Sequence, residues 1–256
     1  MTFLAALTIL SSVTLNATAA ENNLTILSHT GYLDPQGNYH VVGEVQNIGS
    51  QTVNFVQIEA TFYDPQNHVI DTRFDLTMLY TILPDRKSPF LIALLDVAQS
   101  AKVHHYSLTT SFLLTSPIPI GLQILSHNSQ TDTQGRIHIT GQIKNIETSK
   151  AHNIKIVATC YDVKGKVVAA ALTDLDPIED DLNPNQTRPF EIIINQQRAP
   201  LIYTYELTAE SLEYAIIPEH PTLTHAPLLT AILTLALTTH KNVTNKNHNT
   251  KKLQNP

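Results

Sequence analysis

Apolar and polar residues alternate along much of the chain. Between Val56 and Phe62, the residues Val56, Ile58, Ala60 and Phe62 fall on one face, and Gln57, Glu59 and Thr61 on the other. A period of two describes a β-strand with one buried face, and no helical period of useful length accompanies it. The preceding stretch has the same character: Val41, Gly43 and Val45 share a face opposite His40, Glu44 and Gln46. Both patterns then return. Ile154, Ile156, Ala158 and Cys160 copy the first, and Ile139, Gly141 and Ile143, opposite His138, Gln142 and Lys144, copy the second.

The return is partly literal. The run Leu24 to His29 reappears as Leu122 to His127, Gly43 to Ile48 as Gly141 to Ile146, and Ala60 to Asp64 as Ala158 to Asp162. The offset is about 98 residues throughout, too long for a solenoid unit and right for a whole small domain. Turn signals recur with it. Asp34-Pro35-Gln36-Gly37 matches Asp132-Thr133-Gln134-Gly135, and Asp64-Pro65-Gln66-Asn67 matches Asp162-Val163-Lys164-Gly165. Each pairs a leading Asp with a Gly or Asn where positive φ is expected. Pro84, Pro89, Pro184 and Pro189 mark loops or edge strands, because proline cannot donate to a ladder. About seven short strands per repeat predict an all-β chain of two tandem immunoglobulin-like β-sandwich domains, residues 22–113 and 120–212.

Both repeats resemble the FxLYD domain, an immunoglobulin-like module of exported archaeal and bacterial proteins. The resemblance rests on the Gly-x-Val-x-Asn strand (Gly43 to Asn47, Gly141 to Asn145), the strand ending in Tyr-Asp (Tyr63-Asp64, Tyr161-Asp162), the turn to Val69 or Val167, and the Pro-rich approach to Phe90 or Phe190. The namesake motif departs here: Ala60 and Ala158 stand at its Phe, Phe62 and Cys160 at its Leu. The resemblance implies the fold and an exported location, and it carries no catalytic residue.

Composition and the two ends bear on compartment. Residues 1–20 read as a signal peptide, with an apolar run from Phe3 to Leu10 and the small-x-small site Ala17-Thr18-Ala19. Residues 213–222 read as a linker, 223–239 as an apolar, membrane-anchoring helix, and 240–256 as a basic tail. Lysines only beyond the apolar stretch place the tail in the cytoplasm and the repeats outside. Pro218-Glu219-His220-Pro221, just before it, resembles the Pro-Glu-Phe sorting signals of archaeal surface proteins. The formal net charge is −6, and every Asp and Glu precedes the tail. So acidic a body lacks the cationic face that nucleic acid requires, and no nucleic-acid partner is expected. The lone Cys160 permits no intrachain disulfide and reads as a small core residue, since the first repeat has Phe62 there.

The search for chemistry returns little. No nucleophile elbow, phosphate loop or metal-protease helix occurs, so no enzyme, catalytic residue or cofactor is expected. Asn23-Leu24-Thr25 and Asn185-Gln186-Thr187 are glycosylation acceptors. Glu179-Asp180-Asp181 is an acidic run read as a solvated loop. There are twelve histidines, and His29, His40, His127 and His138 recur in register. These four are the candidate ligands of an exported copper- or zinc-binding protein. The other reading is surface histidines copied with the duplication. The expectation is a non-enzymatic cell-surface protein, a binding or structural module whose partner is an envelope protein or polysaccharide.

Overall fold

The computed structural model describes residues 23–175, 181–217 and 222–223. The signal segment, Glu179-Asp180, Pro218-Glu219-His220 and all of the apolar and basic ends after Leu223 lie outside the described residues.

The described chain is all-β. The first repeat contributes β1 (Leu24–Leu33), β2 (Tyr39–Asn47), β3 (Thr52–Tyr63), β4 (Val69–Leu76), β5 (Thr81–Ile82), β6 (Lys87–Leu94) and β7 (His105–Thr115). The second contributes β8 (Ile120–Thr131), β9 (Ile137–Asn145), β10 (Lys155–Tyr161), β11 (Val167–Asp174), β12 (Thr187–Ile194), β13 (Thr204–Glu210), β14 (Ala215–Ile216) and β15 (Thr222–Leu223). In the first repeat a β1–β2–β6 sheet faces a sheet in which β3 pairs with β4, β5 and β7. In the second, β8–β9–β12 and β11–β10–β13 are arranged alike, but β14 joins them into one sheet by running parallel to β8 and antiparallel to β13.

Alternation placed the inner faces correctly. Val56, Ile58, Ala60 and Phe62 are fully buried in the first core, and Ile154, Ile156, Ala158 and Cys160 in the second. Burial pushes the Cys160 thiol up to about 12, as for an inert core side chain. The four turns form as read. Gly37, Asn67, Gly135 and Gly165 have positive φ, and Oδ1 of Asp34, Asp64, Asp132 and Asp162 each accepts two backbone N–H bonds from the turn. Those bonds favour the charged form, so the Asp34 and Asp132 carboxyls lie well below the usual range; the largest causes are the Asn38 side chain and the Arg136 N–H. Pro89 and Pro189 sit in β6 and β12, each paired on one side only.

Several short elements were not foreseen. Asp96 caps a single helical turn, α1 (Val97–Ser100), by accepting from the Gln99 N–H. Residues 213–222, read as a linker, carry β14, and Leu223, read as the start of the apolar helix, pairs with Thr204. Among the described residues no helix is long and apolar enough to cross a membrane.

Candidate functional site

β10 departs from the one-faced pattern that its sequence copies. Lys155, Val157, Thr159 and Tyr161, on the face away from its core, are buried as well. The cover is the first repeat. Val42, Tyr161 and Val167 form a small apolar cluster with Tyr32, Leu91 and Ala170, drawn from both repeats. At its rim the Tyr161 hydroxyl donates to Glu44 Oε1 at 2.6 Å and lies 3.2 Å from Glu206 Oε2. Lys87 Nζ reaches Glu206 at 3.4 Å and Glu44 at 3.7 Å. Glu44 is only 3% exposed, and burial raises its pKa against the pull of Tyr161 and Lys87.

Backbone groups are matched across the same junction. Ser28 Oγ accepts from the Val167 N–H at 3.0 Å, and Thr30 Oγ1 donates to the Val167 carbonyl at 2.6 Å. Gln197 Nε2 donates to the Leu33 carbonyl, and Arg86 to that of Ile216. The Arg198 guanidinium lies 3.9 Å from the Tyr32 ring centroid while its Nε donates to the Val168 carbonyl. The Glu210 carboxylate accepts the Tyr80 and Thr81 N–H groups at 2.7 and 3.1 Å, capping β5 from the other repeat. Buried polar groups satisfied on both sides fix register as apolar contact alone does not.

Beside Glu210 the repeats leave a cleft of about 620 Å³, whose lining includes Tyr80, Asn153, Lys155, Asp174, Glu210 and Ser211. Lys155 Nζ sits 3.7 Å from the Tyr80 ring centroid. Burial raises the Glu210 pKa, opposed by its two backbone bonds and by Lys155. The Phe55 ring stands 6.5 Å from that of Tyr80, and the two are about half exposed. Phe55 occupies a bulge in β3 with φ +47°, a left-handed conformation that a bulky residue adopts only at a cost of about 1 kcal/mol or more. Asn153, its counterpart, has φ +52° and suits it. Phe55 stands where the second repeat has Asn153, and nothing in the alternation along β3 announces its backbone strain.

The structure does not gather the four paired histidines. His29 Nδ1 meets the Tyr106 hydroxyl at 2.6 Å, and His127 Nδ1 meets that of Tyr205 at 2.8 Å, each pair bridging the two layers of its sandwich with rings edge to face. His40 and His138 turn back onto Asp34 and Asp132 at 3.0 and 3.1 Å, and His138 also meets Glu191 at 2.8 Å. Phase had put His40 and His138 on a solvated face; the turn aspartates hold them largely out of water, at 16% and 23% exposure. Among the described residues no group of three His, Cys, Asp or Glu is placed to hold a metal ion.

These environments separate the imidazoles by pKa. Burial lowers His29 and His127, whereas the bonds to Glu191 and then Asp132 raise His138. An NMR titration of the ring protons is expected to find His29 and His127 titrating below 6.5 and His138 above it. The linkage signs are opposite. The His29 and His127 contributions are present above the unfolded pKa and lost as pH falls; that of His138 is present below it and lost as pH rises.

No protein-family model and no curated protein matches the chain. Similar solved structures include red sea bream transglutaminase (9% identity, TM-score 0.25, 77% of this chain and 31% of that one) and the Amycolatopsis orientalis exo-chitosanase CsxA (10%, 0.29, 77% and 26%). A β-glucuronidase of glycoside hydrolase family 2 is similar too (13%, 0.28, 72% and 24%). The chain thus spans a third or less of their lengths, and likeness this remote carries no argument about function.

Proposed function

We propose that this chain is a non-enzymatic, exported binding module, in which two immunoglobulin-like domains of FxLYD type are locked side by side and display one binding cleft at their junction. The observation that carries this reading is the strained Phe55 ring, exposed beside Tyr80, whose ring lines the cleft next to Asn153, Asp174 and Ser211. Backbone strain at an exposed aromatic residue belongs at a contact site rather than in a core. Flat aromatic faces suit the C–H faces of sugar rings, and amide, hydroxyl and carboxylate groups beside them suit sugar hydroxyls. A polysaccharide of the envelope is therefore the partner the cleft fits. The N-terminal signal would export the module and the C-terminal apolar segment would hold it at the cell surface, with the basic tail inside.

The test separates strain from contact. Phe55→Asn is expected to stabilise the chain by about 1 kcal/mol, because Asn tolerates the left-handed conformation. The same change is expected to weaken polysaccharide binding at least tenfold in calorimetric titrations with soluble glucans, mannans and N-acetylhexosamine oligomers. If none of these binds the wild-type chain, or if Phe55→Asn binds as well as wild type, the cleft is not the binding site.

A further inference from the structure

Among the described residues the edges of these sheets are guarded, with one exception. β4 carries Asp71, Arg73 and Asp75. β6 carries Lys87 and Pro89, and β12 carries Arg188, Pro189 and Glu191. β1 is bulged between Ile26 and Ser28. β11 is covered by the first repeat through Ser28 and Thr30, and the outer edge of β13 takes β14 and β15. Charges, prolines, bulges and covering segments are the means by which sheet edges are kept from pairing. β7, the counterpart of β13, has none of them. Its eleven residues, His105 to Thr115, include no Asp, Glu, Lys, Arg, Pro or Gly, and among the described residues it pairs only with β3. Beside its first half runs a groove of about 590 Å³, lined by Ser28 and His29 of β1, Tyr106 and Leu108 of β7, and Lys166 of the second repeat.

We propose that β7 is a self-association edge, at which two copies of this chain pair their β7 strands antiparallel about a two-fold axis. A two-fold places the strand opposite itself, so a charged edge would oppose like charges, whereas this one opposes Ser, Thr and Leu to one another. The chain as a whole carries a net charge of −6, so copies repel one another least where the uncharged strand itself meets its copy, away from Lys166. The second repeat gives the structural precedent: its equivalent edge is occupied by added strands, β14 and β15. An extended peptide of another protein could use the same edge, and the experiment distinguishes the two.

Sedimentation equilibrium of the full chain is expected to show a dimer at about 10 μM. Thr109→Lys with Ser111→Lys, on the exposed face of β7, should weaken it at least tenfold, while Thr72→Lys on the charged β4 edge should leave it unchanged. Single cysteines at Ser107, Thr109 or Ser111 preserve the strand and, oxidised alone and in pairwise mixtures, should yield an interchain disulfide in at least one case. A chain that stays monomeric to about 100 μM, an association that the double lysine variant leaves intact, or no cross-link from any of the three cysteines would overturn the proposal.

Discussion

Phenylalanine in place of Tyr161 is expected to destabilise the chain by about 2 kcal/mol, the worth of a buried hydrogen bond to a charged group. The ring stays, so packing against Val42 and Val167 is kept; what goes is the hydroxyl donating at 2.6 Å to Glu44. Glu44 is then left buried with Lys87 3.7 Å away and the like charge of Glu206 also acting on it. Each repeat keeps its own core, so the loss falls on the junction. Urea unfolding of the variant should separate into two transitions where the wild type shows one. The deficit also depends on pH. Glu44 already has a raised pKa, so the folded state holds its proton more tightly than the unfolded chain. Its favourable contribution is present below the unfolded pKa and lost as pH rises through the folded value. Removing the hydroxyl penalises the carboxylate form more than the protonated one. The gap between Tyr161→Phe and wild type should therefore be full near pH 7 and shrink as Glu44 protonates on acidification.

Gly43→Ala and Gly141→Ala should each cost about 3 kcal/mol, at the upper end of overpacking effects. Neither glycine has a positive φ, so the reason is space. A Cβ on Gly43 would lie 2.4 Å from Phe90 Cζ and 2.8 Å from the Ser28 carbonyl oxygen; on Gly141 it would lie 2.5 Å from Phe190 Cζ and 2.6 Å from the Ser126 oxygen. The ring is nearly or fully buried in each repeat and the oxygen belongs to the neighbouring strand, so neither yields cheaply. A thermal melt of each variant measures the cost, and equal losses in the two repeats would mark the Gly–Phe contact as one device used twice.

The repeat and its alternation made the inner faces legible, because a strand with one side in a core shows period two. Val41, Gly43 and Val45 could be assigned to one face, though that the space over Gly43 belongs to Phe90 could not, since the two are far apart in sequence. The outer face was misread for a related reason. Lys155, Thr159 and Tyr161 look like solvated positions, and period two says nothing about a second body covering them. Tyr63 and Tyr161 make the point. They are the same residue of the repeat, yet Tyr63 stacks on His105 with ring centroids 4.9 Å apart, while Tyr161 is buried in the junction. Duplication supplied related surfaces, and the asymmetry of their contact assigned different work to each copy. The paired histidines were legible as a pattern but not in role. The partners of His29 and His127, Tyr106 and Tyr205, lie 77 and 78 residues away, and only the folded sandwich brings them together.

The proposed binding cleft exists only if the two repeats hold one relative orientation, since Tyr80 and Glu210 come from different repeats. Glu44, Tyr161, Lys87 and Glu206 supply that fixity from within, and Glu210 of β13, capping β5, supplies it at the edge of the cleft. Spin labels on cysteines replacing Val69 and Val163, both strongly exposed and one in each repeat, read the orientation directly. Cys160 is buried and does not compete for the label. The distance distribution should be single and narrow in the wild-type background and broaden with Tyr161→Phe. A broad or multiple distribution in the wild-type background would mean that the repeats move independently, and would contradict a junction built to hold one cleft.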